Sequence, residues 1–600
     1  MTFYTRNMTT LTSQEKDTES KKPYRPLTRA EIDLLTSQYC FCPDWSKVSV
    51  REGTDLRSIR FCRFLGTVKI GILDSASERE EGIYNAVIRD CAIGDHVLIS
   101  GVAGRLEGLV IDDDVRIENV GRIIAEPGAD FGVGTTVSVL DETGSRPVCI
   151  FPGLTAQMAA LMAHHPRWTE DSFIPLIDEM RQNMSETPTI GKGAEILDTR
   201  FIFDVKIGPG VRVFGASYLK NGTILSNAHS GHSLTFVGND VDAEDFIVED
   251  GYVDAGTLLR RCYVGQGVEL LKRFTAHDSL FFANCSLENG EACAILAGPY
   301  TVSMHKSSLL IGGEYSFFNA GSGTNSSNHK YKLGPVHWGI MQRGVKTASD
   351  SYIMWGGHIG AFSLLMGAHK SHPDTSDFPF SYLFGRPDGT TLVAPGLMLK
   401  SCGLMRDELK WPKRDRRIKG RVPLHDHVHF EVLNPITVGE MIRGLGVLKE
   451  LAGQTPDSNG LVTHKGVFIK ASAIGRGIEF YTLGIAKYIY GKLKEEQTVS
   501  EPKHKEPTVW KDLGGQIVPA SVIEEALHAE TLEEIRRIID QAYEQFPAME
   551  REWISQILSP DLKDVISRTE NAAARLDALV DKDRKEYLAS LSAQNSAYTL

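Results

Sequence analysis

The segment Ile93-Gly-Asp-His-Val97 is followed by Ile111-Asp-Asp-Asp-Val115 and then by Val133-Gly-Thr-Thr-Val137. Each unit is an aliphatic residue, a small or acidic residue, two polar residues and a valine. The first two units are 18 residues apart, and Ile99 and Ile117 keep that spacing. The third unit begins 22 residues after the second, which predicts one more turn with a longer loop, because surface loops tolerate insertions well. A six-residue unit gathered in threes predicts a parallel β-helix.

Such a repeat has a simple physical basis. If each turn has three short flat sides, the aliphatic residue of every unit points to the axis and stacks on its equivalent roughly 4.8 Å above. The small residue lets the backbone bend, and the polar pair faces water. No single turn can bury its apolar side alone, so the turns are stable only as a stack. We therefore predict that Ile93 and Ile111 are vertical neighbours.

The unit returns later in the chain. Its copies are Ile190–Ala194, Ile207–Val211, Val237–Val241, Val253–Thr257 and Val264–Val268, with Leu287–Ala292 as a further unit. Short apolar runs between Gly-rich turns extend the pattern to about residue 400. Between the two blocks, Leu154 to Met184 carries apolar residues at helical spacing, which predicts a two-helix insertion. We interpret His164-His165 within it as a solvated helix end rather than a ligand site.

These units resemble the left-handed β-helix of the hexapeptide-repeat acyltransferases and of the sugar-nucleotide enzymes that carry the same repeat. The resemblance implies left-handed winding, which is an exception to the usual right-handed crossover. It also implies a homo-oligomer, with a trimer as the form common among those acyltransferases. The predicted fold class is mainly β, a left-handed parallel β-helix with a helical insertion and an α-helical C-terminal region.

Two capping boxes, Thr28-x-x-Glu31 and Thr437-x-x-Glu440, predict helix starts. Apolar residues from Val522 to Leu591 keep helical spacing, which predicts a helical arm. The predicted divisions are 1–46 (N-terminal tail and capping helix), 47–150 (first β-helix block), 151–188 (helical insertion), 189–405 (second β-helix block with long loops), 406–520 (linker and mixed α/β segment) and 521–600 (helical C-terminal arm).

Composition narrows the function classes. A net charge of −12 argues against a nucleic-acid partner, because phosphate neutralisation needs a basic face. Nine cysteines without regular spacing fit a reducing compartment better than a disulfide framework. The chain has no apolar run near 20 residues and no apolar signal core, so the sequence predicts a soluble cytoplasmic protein with no membrane partner.

The stretch from Tyr300 to His337 concentrates polar and basic residues. Ser303 and His305 alternate, so they share one face of a strand. The loop from Gly321 to Asn328 has no large apolar residue and suits a backbone-rich cradle for anionic or hydroxyl-rich ligands. The candidate ligand-binding residues are Ser303, Lys306, Asn325, Asn328, Lys330, Lys332, His337 and Arg343. The alternative interpretation is a polar ladder of Asn, Ser and His that holds a wide loop in place.

In the hexapeptide-repeat acyltransferases a histidine acts as general base on the acceptor, and imidazole suits that role because its pKa lies near operating pH. The resemblance therefore implies that His305 or His329 is catalytic here. It also implies acyl-CoA as donor and a phosphorylated sugar or sugar nucleotide as substrate. The competing hypothesis is a non-catalytic ligand-binding or scaffolding protein, because a regular pantetheine-binding tract is missing late in the repeats.

Two further resemblances refine this expectation. Asn328-His-Lys-Tyr331 loosely resembles a loop in the acetyltransferase half of the bifunctional enzyme that makes UDP-N-acetylglucosamine. No Gly-rich, Arg-containing loop precedes residue 90, so nucleotidyl transfer is disfavoured. With Ser327–His337 and Pro379–Leu383, the whole chain looks most like an uncharacterised bacterial family of long hexapeptide-repeat proteins with a helical tail.

Two histidine groups have metal-compatible residues, but neither is assigned a metal. His369-x-x-His372-x-Asp374 lies in a loop setting of unpredictable geometry. The alternating His425, His427 and His429 fit an exposed edge strand better than a zinc site. Trp338 and Trp355 suit stacking on a sugar ring, although buried aromatic packing is commoner.

Overall fold

The computed structural model describes residues 22–184, 189–227, 234–327, 338–494, 508–558 and 562–597. In this part of the chain, long parallel sheets are built from strands that begin at Tyr24, and helices dominate the C-terminal region. The prediction of a mainly β protein with a helical C-terminal region is confirmed.

The N-terminal part consists of one helix followed by short strands. Helix α1 begins at the predicted capping box, where the Thr28 hydroxyl accepts the N–H of Glu31 and the Glu31 carboxylate accepts the N–H of Thr28. The elements are β1 (Tyr24–Pro26), α1 (Arg29–Ser37), β2 (Val48–Arg51), β3 (Ile59–Arg60), β4 (Arg63–Ile70), β5 (Gly82–Tyr84), β6 (Val87–Ile93), β7 (Leu98–Val102), β8 (Leu106–Glu107), β9 (Val110–Ile111), β10 (Arg116–Val120), β11 (Arg122–Ile124), β12 (Thr136–Ser138) and β13 (Pro147–Cys149).

A helical segment interrupts the strands, as the helical spacing there predicts. It contains α2 (Ala156–His164), α3 (Pro166–Trp168), a π-helical turn (Thr169–Phe173) and α4 (Ile174–Asn183). The strands that follow are β14 (Glu195–Leu197), β15 (Phe201–Ile207), β16 (Arg212–Phe214), β17 (Tyr218–Leu225), β18 (Phe236–Val237), β19 (Asp242–Glu249), β20 (Tyr252–Val253), β21 (Leu258–Val264), β22 (Glu269–Leu271), β23 (Thr275–Phe281), β24 (Ser286–Glu288), β25 (Glu291–Cys293), β26 (Leu296–Ala297), β27 (Val302–Ser303), β28 (Leu309–Ile311), β29 (Gly313–Tyr315), β30 (Asn325–Ser327), β31 (Gly339–Met341), β32 (Lys346–Thr347), β33 (Tyr352–Met354), β34 (His358–Ile359), β35 (Leu364–Met366) and β36 (Ala368–His369).

The last third alternates helices with short hairpins. Parallel pairing continues as far as β37, and β38 then pairs with β37 in the antiparallel sense. The elements are β37 (Tyr382–Gly385), β38 (Thr391–Ala394), α5 (Cys402–Lys410), α6 (Arg416–Gly420), α7 (Pro435–Ala452), β39 (Leu461–His464), β40 (Val467–Lys470), α8 (Ala471–Leu493), β41 (Trp510–Leu513), β42 (Gln516–Pro519), α9 (Ala520–Leu527), α10 (Leu532–Ile557) and α11 (Leu562–Ala597).

Successive layers of the sheets lie in the register that the repeat predicts. Ile93 pairs with Ile111 and Ile99 pairs with Ile117, both in parallel ladders. Ile111 also bridges to Ile190. The chain therefore leaves the long parallel sheets after β11 and rejoins them in the next layer. The helical segment lies between these two layers in the sequence, but it does not lie between them in space.

Buried side chains fill the interior at paired positions of the ladder. One such column contains Ile123, Ile202, Leu219, Ala243, Leu259, Ala276, Ala292, Leu310, Ser326, Ile353 and His369, which are all buried. The column is apolar in its early layers and partly polar at its end. The long strands bend at residues with φ between 47 and 57°, among them Asn221 and Asp245, which tolerate the left-handed conformation better than most residues.

A second column, which positions the functional site, lies on the outer face of the sheet, first on β17, β19, β21 and β23 and then on β26, β29, β31 and β34. Its members are Thr223, Ile247, Tyr263, Leu280, Leu296, Glu314, Ile340 and His358. The apolar members from Ile247 to Leu296 form one core with α2, with the β12–β13 hairpin and with residues of α10 and β42. From Glu314 onward the column contains two ionisable residues, Glu314 and His358, with Ile340 between them, and all three line a cavity.

The third predicted unit, Val133–Val137, does not continue the stack, so this prediction is wrong. Thr136–Ser138 pairs in the antiparallel sense with Pro147–Cys149, in a separate two-stranded sheet. Val133 and Val137 are fully buried in the core that covers the outer column. The five-residue pattern fits a strand of the stacked sheets and a strand of this hairpin equally well, because both kinds of strand bury alternate side chains.

Candidate functional site

A cavity of about 980 Å³ lies on the outer face of the sheet, where the second column reaches Glu314. Strands β29, β31 and β34 contribute Glu314, Ile340 and His358 to one wall, and α2, α7, α9 and the β41–β42 hairpin contribute the others. Pockets for small molecules typically measure roughly 300–1,000 Å³. The cavity is therefore large enough for a metabolite of substantial size.

An imidazole and a carboxylate meet at this wall. His164, the last residue of α2, places Nε2 2.8 Å from Oε2 of Glu314. The carboxylate raises the pKa of His164 above its usual range, against the opposing effect of burial. Burial alone would raise the pKa of Glu314, but the charge and hydrogen bond of His164 outweigh it and the pKa is lowered. His164 lies at a helix end, as predicted, but it is half-buried and paired with Glu314 rather than solvated.

An aromatic ring and a guanidinium lie beside this pair. The guanidinium carbon of Arg146 is 4.3 Å from the centre of the Trp338 ring, and NH1 of Arg146 donates to the carbonyl of Ala163 at 2.8 Å. The His164 ring is 6.2 Å from the Trp338 ring, edge to face. Trp338 lines the cavity and is half-buried. Its indole thus offers an apolar surface next to the ionisable pair.

A buried arginine occupies another wall. Arg343 is 2% exposed, and its NH2 donates to the carbonyl of His429 at 2.6 Å. Its Nε lies 3.6 Å from Oδ2 of Asp512, on strand β41. Burial raises the pKa of Asp512, and the positive charge of Arg343 opposes that effect. Within the described residues, Nε and NH1 of Arg343 are buried and have no hydrogen-bond partner, although Nε is within ion-pair distance of Asp512.

A second carboxyl group lies on α7. Glu440 is 3% exposed, and its Oε1 accepts from Nε2 of Gln342 at 2.7 Å. Burial raises its pKa to about 8. The prediction that Thr437 and Glu440 form a capping box is wrong. Helix α7 begins about one turn earlier, with Asn434 as its N-cap and Thr437 as its third residue, and these two residues form the capping box. Glu440 therefore faces the cavity instead of the helix end.

Asp377 anchors a charged group at the cavity rim. Its carboxylate lies 2.7 Å from Nζ of Lys465, 3.2 Å from Nε2 of His464 and 3.6 Å from Nε of Arg443. Burial would raise the pKa of Asp377, but hydrogen bonds from Lys465 and His464 and the charges of Lys465 and Arg443 lower it. The group fixes the β39–β40 hairpin and α7 against the loop that carries Asp377.

Among the site residues that the sequence predicts, Arg343 lines the cavity. Ser303 is buried at the end of β27, with 1% exposure. His305 and Lys306 lie on the exposed surface after that strand and do not line the cavity. Asn325 is half-buried at the start of β30. Of these residues Arg343 alone lines the cavity, and the functional roles of all of them stay predictions.

The remaining predicted residues lie outside the described residues. They are Asn328, His329, Lys330, Lys332 and His337. The described chain resumes at Trp338, which lines the cavity.

The first histidine group does not converge on a common point. His369 is fully buried in the interior column, its Nδ1 lies 2.9 Å from the Thr391 hydroxyl, and burial lowers its pKa to about 4. His372 Nδ1 lies 2.7 Å from the carbonyl of Trp355. Asp374 accepts hydrogen bonds from the N–H and hydroxyl of Ser376.

The second histidine group follows irregular backbone rather than the predicted edge strand. His425 lies 3.6 Å from Glu249, and His427 lies 2.7 Å from Asp540. His429 accepts a backbone N–H from β42. In the part of the chain that the structure describes, no group of three or more His, Cys, Asp or Glu is arranged to hold a metal ion.

Sequence reasoning missed Glu314, Glu440 and Asp512. Glu314 follows two glycines in a weakly repetitive region, and Glu440 fits a capping pattern. The sequence does contain one indication: at the outward-facing position of successive layers, Leu280 and Leu296 are followed by Glu314. A change from leucine to glutamate at one position of a repeat indicates a different environment.

Fold and site together define a sheet-rich protein that holds a metabolite-sized cavity lined by ionisable side chains. The chain belongs to the family described as "Domain of unknown function (DUF4954)", whose model matches residues 24–452. That range contains His164, Glu314, Arg343 and Glu440 but not the β41–β42 hairpin, which completes the cavity.

A relative from Treponema pallidum (strain Nichols), named "Uncharacterized protein", is similar to this chain. The two are 26% identical over 461 residues, which cover 72% of this chain and 62% of the relative. The chain thus spans less than two thirds of that relative. Among the helices that the structure describes, none combines the length and the apolar character needed to cross a membrane.

Proposed function

We propose that the parallel sheets wind as the left-handed β-helix of hexapeptide-repeat proteins, and that the cavity on their outer face is an acyltransferase-like active site. The winding is supported by the parallel register of Ile93 with Ile111, one repeat apart. The activity is carried by one observation, the His164–Glu314 pair in the wall of a 980 Å³ cavity. His164 takes the role that the sequence assigns to His305 or His329.

In the proposed reaction, His164 removes a proton from an acceptor hydroxyl or amine. Its Nε2 is held by Glu314, so Nδ1 is the nitrogen that accepts the proton. The acceptor then attacks the thioester carbonyl of acyl-CoA, the C–S bond breaks, and the coenzyme A thiolate leaves and takes the proton from His164 to become the free thiol. Glu314 orients the imidazole and stabilises its protonated form, which is the role of a carboxylate beside a catalytic histidine.

The proposed acceptor is a phosphorylated sugar or a related phosphorylated metabolite. Arg343 supports an anionic group in the ligand, because it is buried and keeps Nε and NH1 without hydrogen-bond partners in the described part of the chain. Trp338 supports a sugar ring, because its indole lines the same cavity. Arg343 is also among the ligand-binding residues predicted from the sequence, whereas for Trp338 the sequence left sugar stacking as the less common alternative to buried packing.

Release of the coenzyme A thiol tests this proposal directly. Purified protein is incubated with acetyl-CoA and a panel of phosphorylated sugars, and free thiol is measured by a colorimetric reagent. We expect thiol release that depends on the acceptor and that is abolished by His164→Asn. Asparagine retains a polar side chain of similar reach but cannot accept a proton at neutral pH.

A matched control is available at the other end of the stack. His96 also pairs with a glutamate, since its Nδ1 lies 3.1 Å from Glu81, but the imidazole is on the surface, far from the cavity lining. His96→Asn should retain full thiol release. Equal loss in both variants, or unchanged release in His164→Asn, would contradict the proposed base. If no acceptor releases thiol and no ligand raises the melting temperature, the non-catalytic scaffold hypothesis replaces this proposal.

A further inference from the structure

Glu440 and Gln342 form a second polar group in the same cavity, separate from the His164–Glu314 pair. Gln342 follows strand β31 and Glu440 lies on α7, and one hydrogen bond of 2.7 Å joins them. Within the described residues, Oε1 of Gln342 and Oε2 of Glu440 are buried without hydrogen-bond partners. Buried polar atoms rarely lack partners in native proteins, so each such atom needs an explanation.

We propose that Glu440 and Gln342 form a subsite for a cationic nitrogen, an amine or a guanidinium, on the ligand that the cavity binds. Both unpartnered atoms are oxygens, and an ammonium or guanidinium group supplies several N–H donors at once. The subsite rests on the proposed function only in assuming that the cavity binds a small molecule. The subsite requires that one group of the ligand is cationic, and Glu440 and Gln342 are the residues that bind this group.

Charged groups of both signs lie around Glu440. Arg443 lies on α7 one turn beyond Glu440, but it is exposed and its Nε contacts Asp377 at 3.6 Å. Asp512, on β41, faces the same cavity, and its negative charge acts on Glu440 in the same direction as that of Asp377. Arg443 has the largest charge effect on Glu440 and lowers its pKa, whereas Asp377 and Asp512 raise it. Each acidic group is itself next to an arginine, Asp377 next to Arg443 and Asp512 next to the buried Arg343.

Aromatic rings complete the subsite. Trp553, on α10, packs against α7 beside Glu440: a Cβ added at Gly439 would lie 3.8 Å from its ring. Trp510, on β41, has its ring 6.4 Å from that of Trp553, and both line the cavity. Indole faces attract cations through their quadrupole and exclude water from a carboxylate. A buried acid with adjacent indoles is thus suited to an organic cation.

Binding of a cation would change the protonation of Glu440. The carboxyl carries a proton at neutral pH in the empty cavity, because its pKa is raised to about 8. An ammonium group next to it favours the ionised form, so the proton passes to the buffer when the cation binds. Amine binding should therefore release close to one proton near neutral pH and strengthen as pH rises towards 8.

Matched probes test the subsite without any turnover. Isothermal titration compares 1-aminobutane with 1-butanol and 1,4-diaminobutane with 1,4-butanediol, in two buffers of different ionisation enthalpy; the alkylammonium groups stay charged up to pH 8, because such amines titrate at about 10. Charge-assisted hydrogen bonds contribute roughly 1.5–3 kcal/mol, so we expect the amine of each pair to bind about 10-fold to 100-fold more tightly than the alcohol. Proton release should accompany the amines alone.

Three variants assign the effect to its residues. Glu440→Gln should remove both the preference for amines and the proton release. Gln342→Leu should weaken the preference, and it is the second test if Glu440→Gln folds poorly. Glu524→Gln changes an exposed carboxyl that also lines the cavity and should keep the preference. No preference for amines in the parent protein, or a preference that survives in Glu440→Gln, would overturn the subsite.

The same titrations separate this inference from the proposed function. His164→Asn should bind amines as tightly as the parent protein does, although it should not transfer an acyl group. Amine binding without any thiol release would support the subsite and refute the transferase. Thiol release without amine preference would do the opposite.

Discussion

Replacing Glu440 by glutamine should stabilise the protein at neutral and alkaline pH. Glutamine has nearly the same shape, can still accept the hydrogen bond from Gln342, and adds an N–H₂ donor for the Oε1 of Gln342 that lacks a partner in the described structure. It has no charge to bury. The parent protein must either keep a proton on Glu440 or hold a carboxylate that is 3% exposed.

The magnitude follows from the pKa of this group. Burial raises it from an ordinary value of 4.5 to about 8, and each pKa unit corresponds to about 1.4 kcal/mol. The folded state therefore binds this proton more tightly than the unfolded state does. The contribution to stability is fully present below pH 4.5 and is lost as the pH rises to about 8, with an upper bound of roughly 5 kcal/mol.

Urea unfolding followed by tryptophan fluorescence measures this effect at a series of pH values. The stability of Glu440→Gln relative to the parent protein should increase between pH 4.5 and 8 and then level off. Glu544→Gln, an exposed carboxyl on α10, is the control and should follow the parent protein throughout. A constant difference between Glu440→Gln and the parent protein would show that the Glu440 carboxyl titrates normally and would refute the reasoning.

Three other changes test the remaining structure. Glu314→Gln removes the carboxylate that raises the pKa of His164, so the pH at which activity is half-maximal should fall, as a pH–rate profile would show. Ile202→Ala opens space in the fully buried interior column and should cost about 2–5 kcal/mol in urea unfolding, whereas Phe201→Ala, at a 40% exposed position, should cost much less. Asn434→Ala removes the N-cap of α7 and should cost about 1 kcal/mol in the same assay; no loss would show that Thr437 caps this helix alone.

The spacing of the aliphatic residues was sufficient to predict how the layers pair. Ile93 and Ile111 are one repeat apart, and the ladder joins them because a period-two strand tolerates no shift of a single residue without turning its apolar side outward. Val133 was mispredicted because its unit matches the same template but packs under α2. A repeat pattern identifies strands with buried side chains, but it does not show whether those strands belong to the stacked sheets or to another core.

The site was much harder to predict than the fold. Arg343 was named from the basic character of its neighbourhood, and it does line the cavity. His164, Glu314, Glu440 and Asp512 are brought together from a helix of the insertion, a strand, a late helix and a C-terminal hairpin. Each has a common local explanation in sequence, and only tertiary packing places all four around one cavity.

The bridge between Ile111 and Ile190 has an evolutionary consequence. Because the chain leaves the sheet at one layer and rejoins it at the next, the length of the inserted segment can change without altering how the layers pair. Helix α2, which supplies His164, belongs to that segment, whereas Glu314 belongs to the layers. A change in the inserted segment would therefore alter the helix that supplies His164 and leave unchanged the pairing of the layers that supply Glu314.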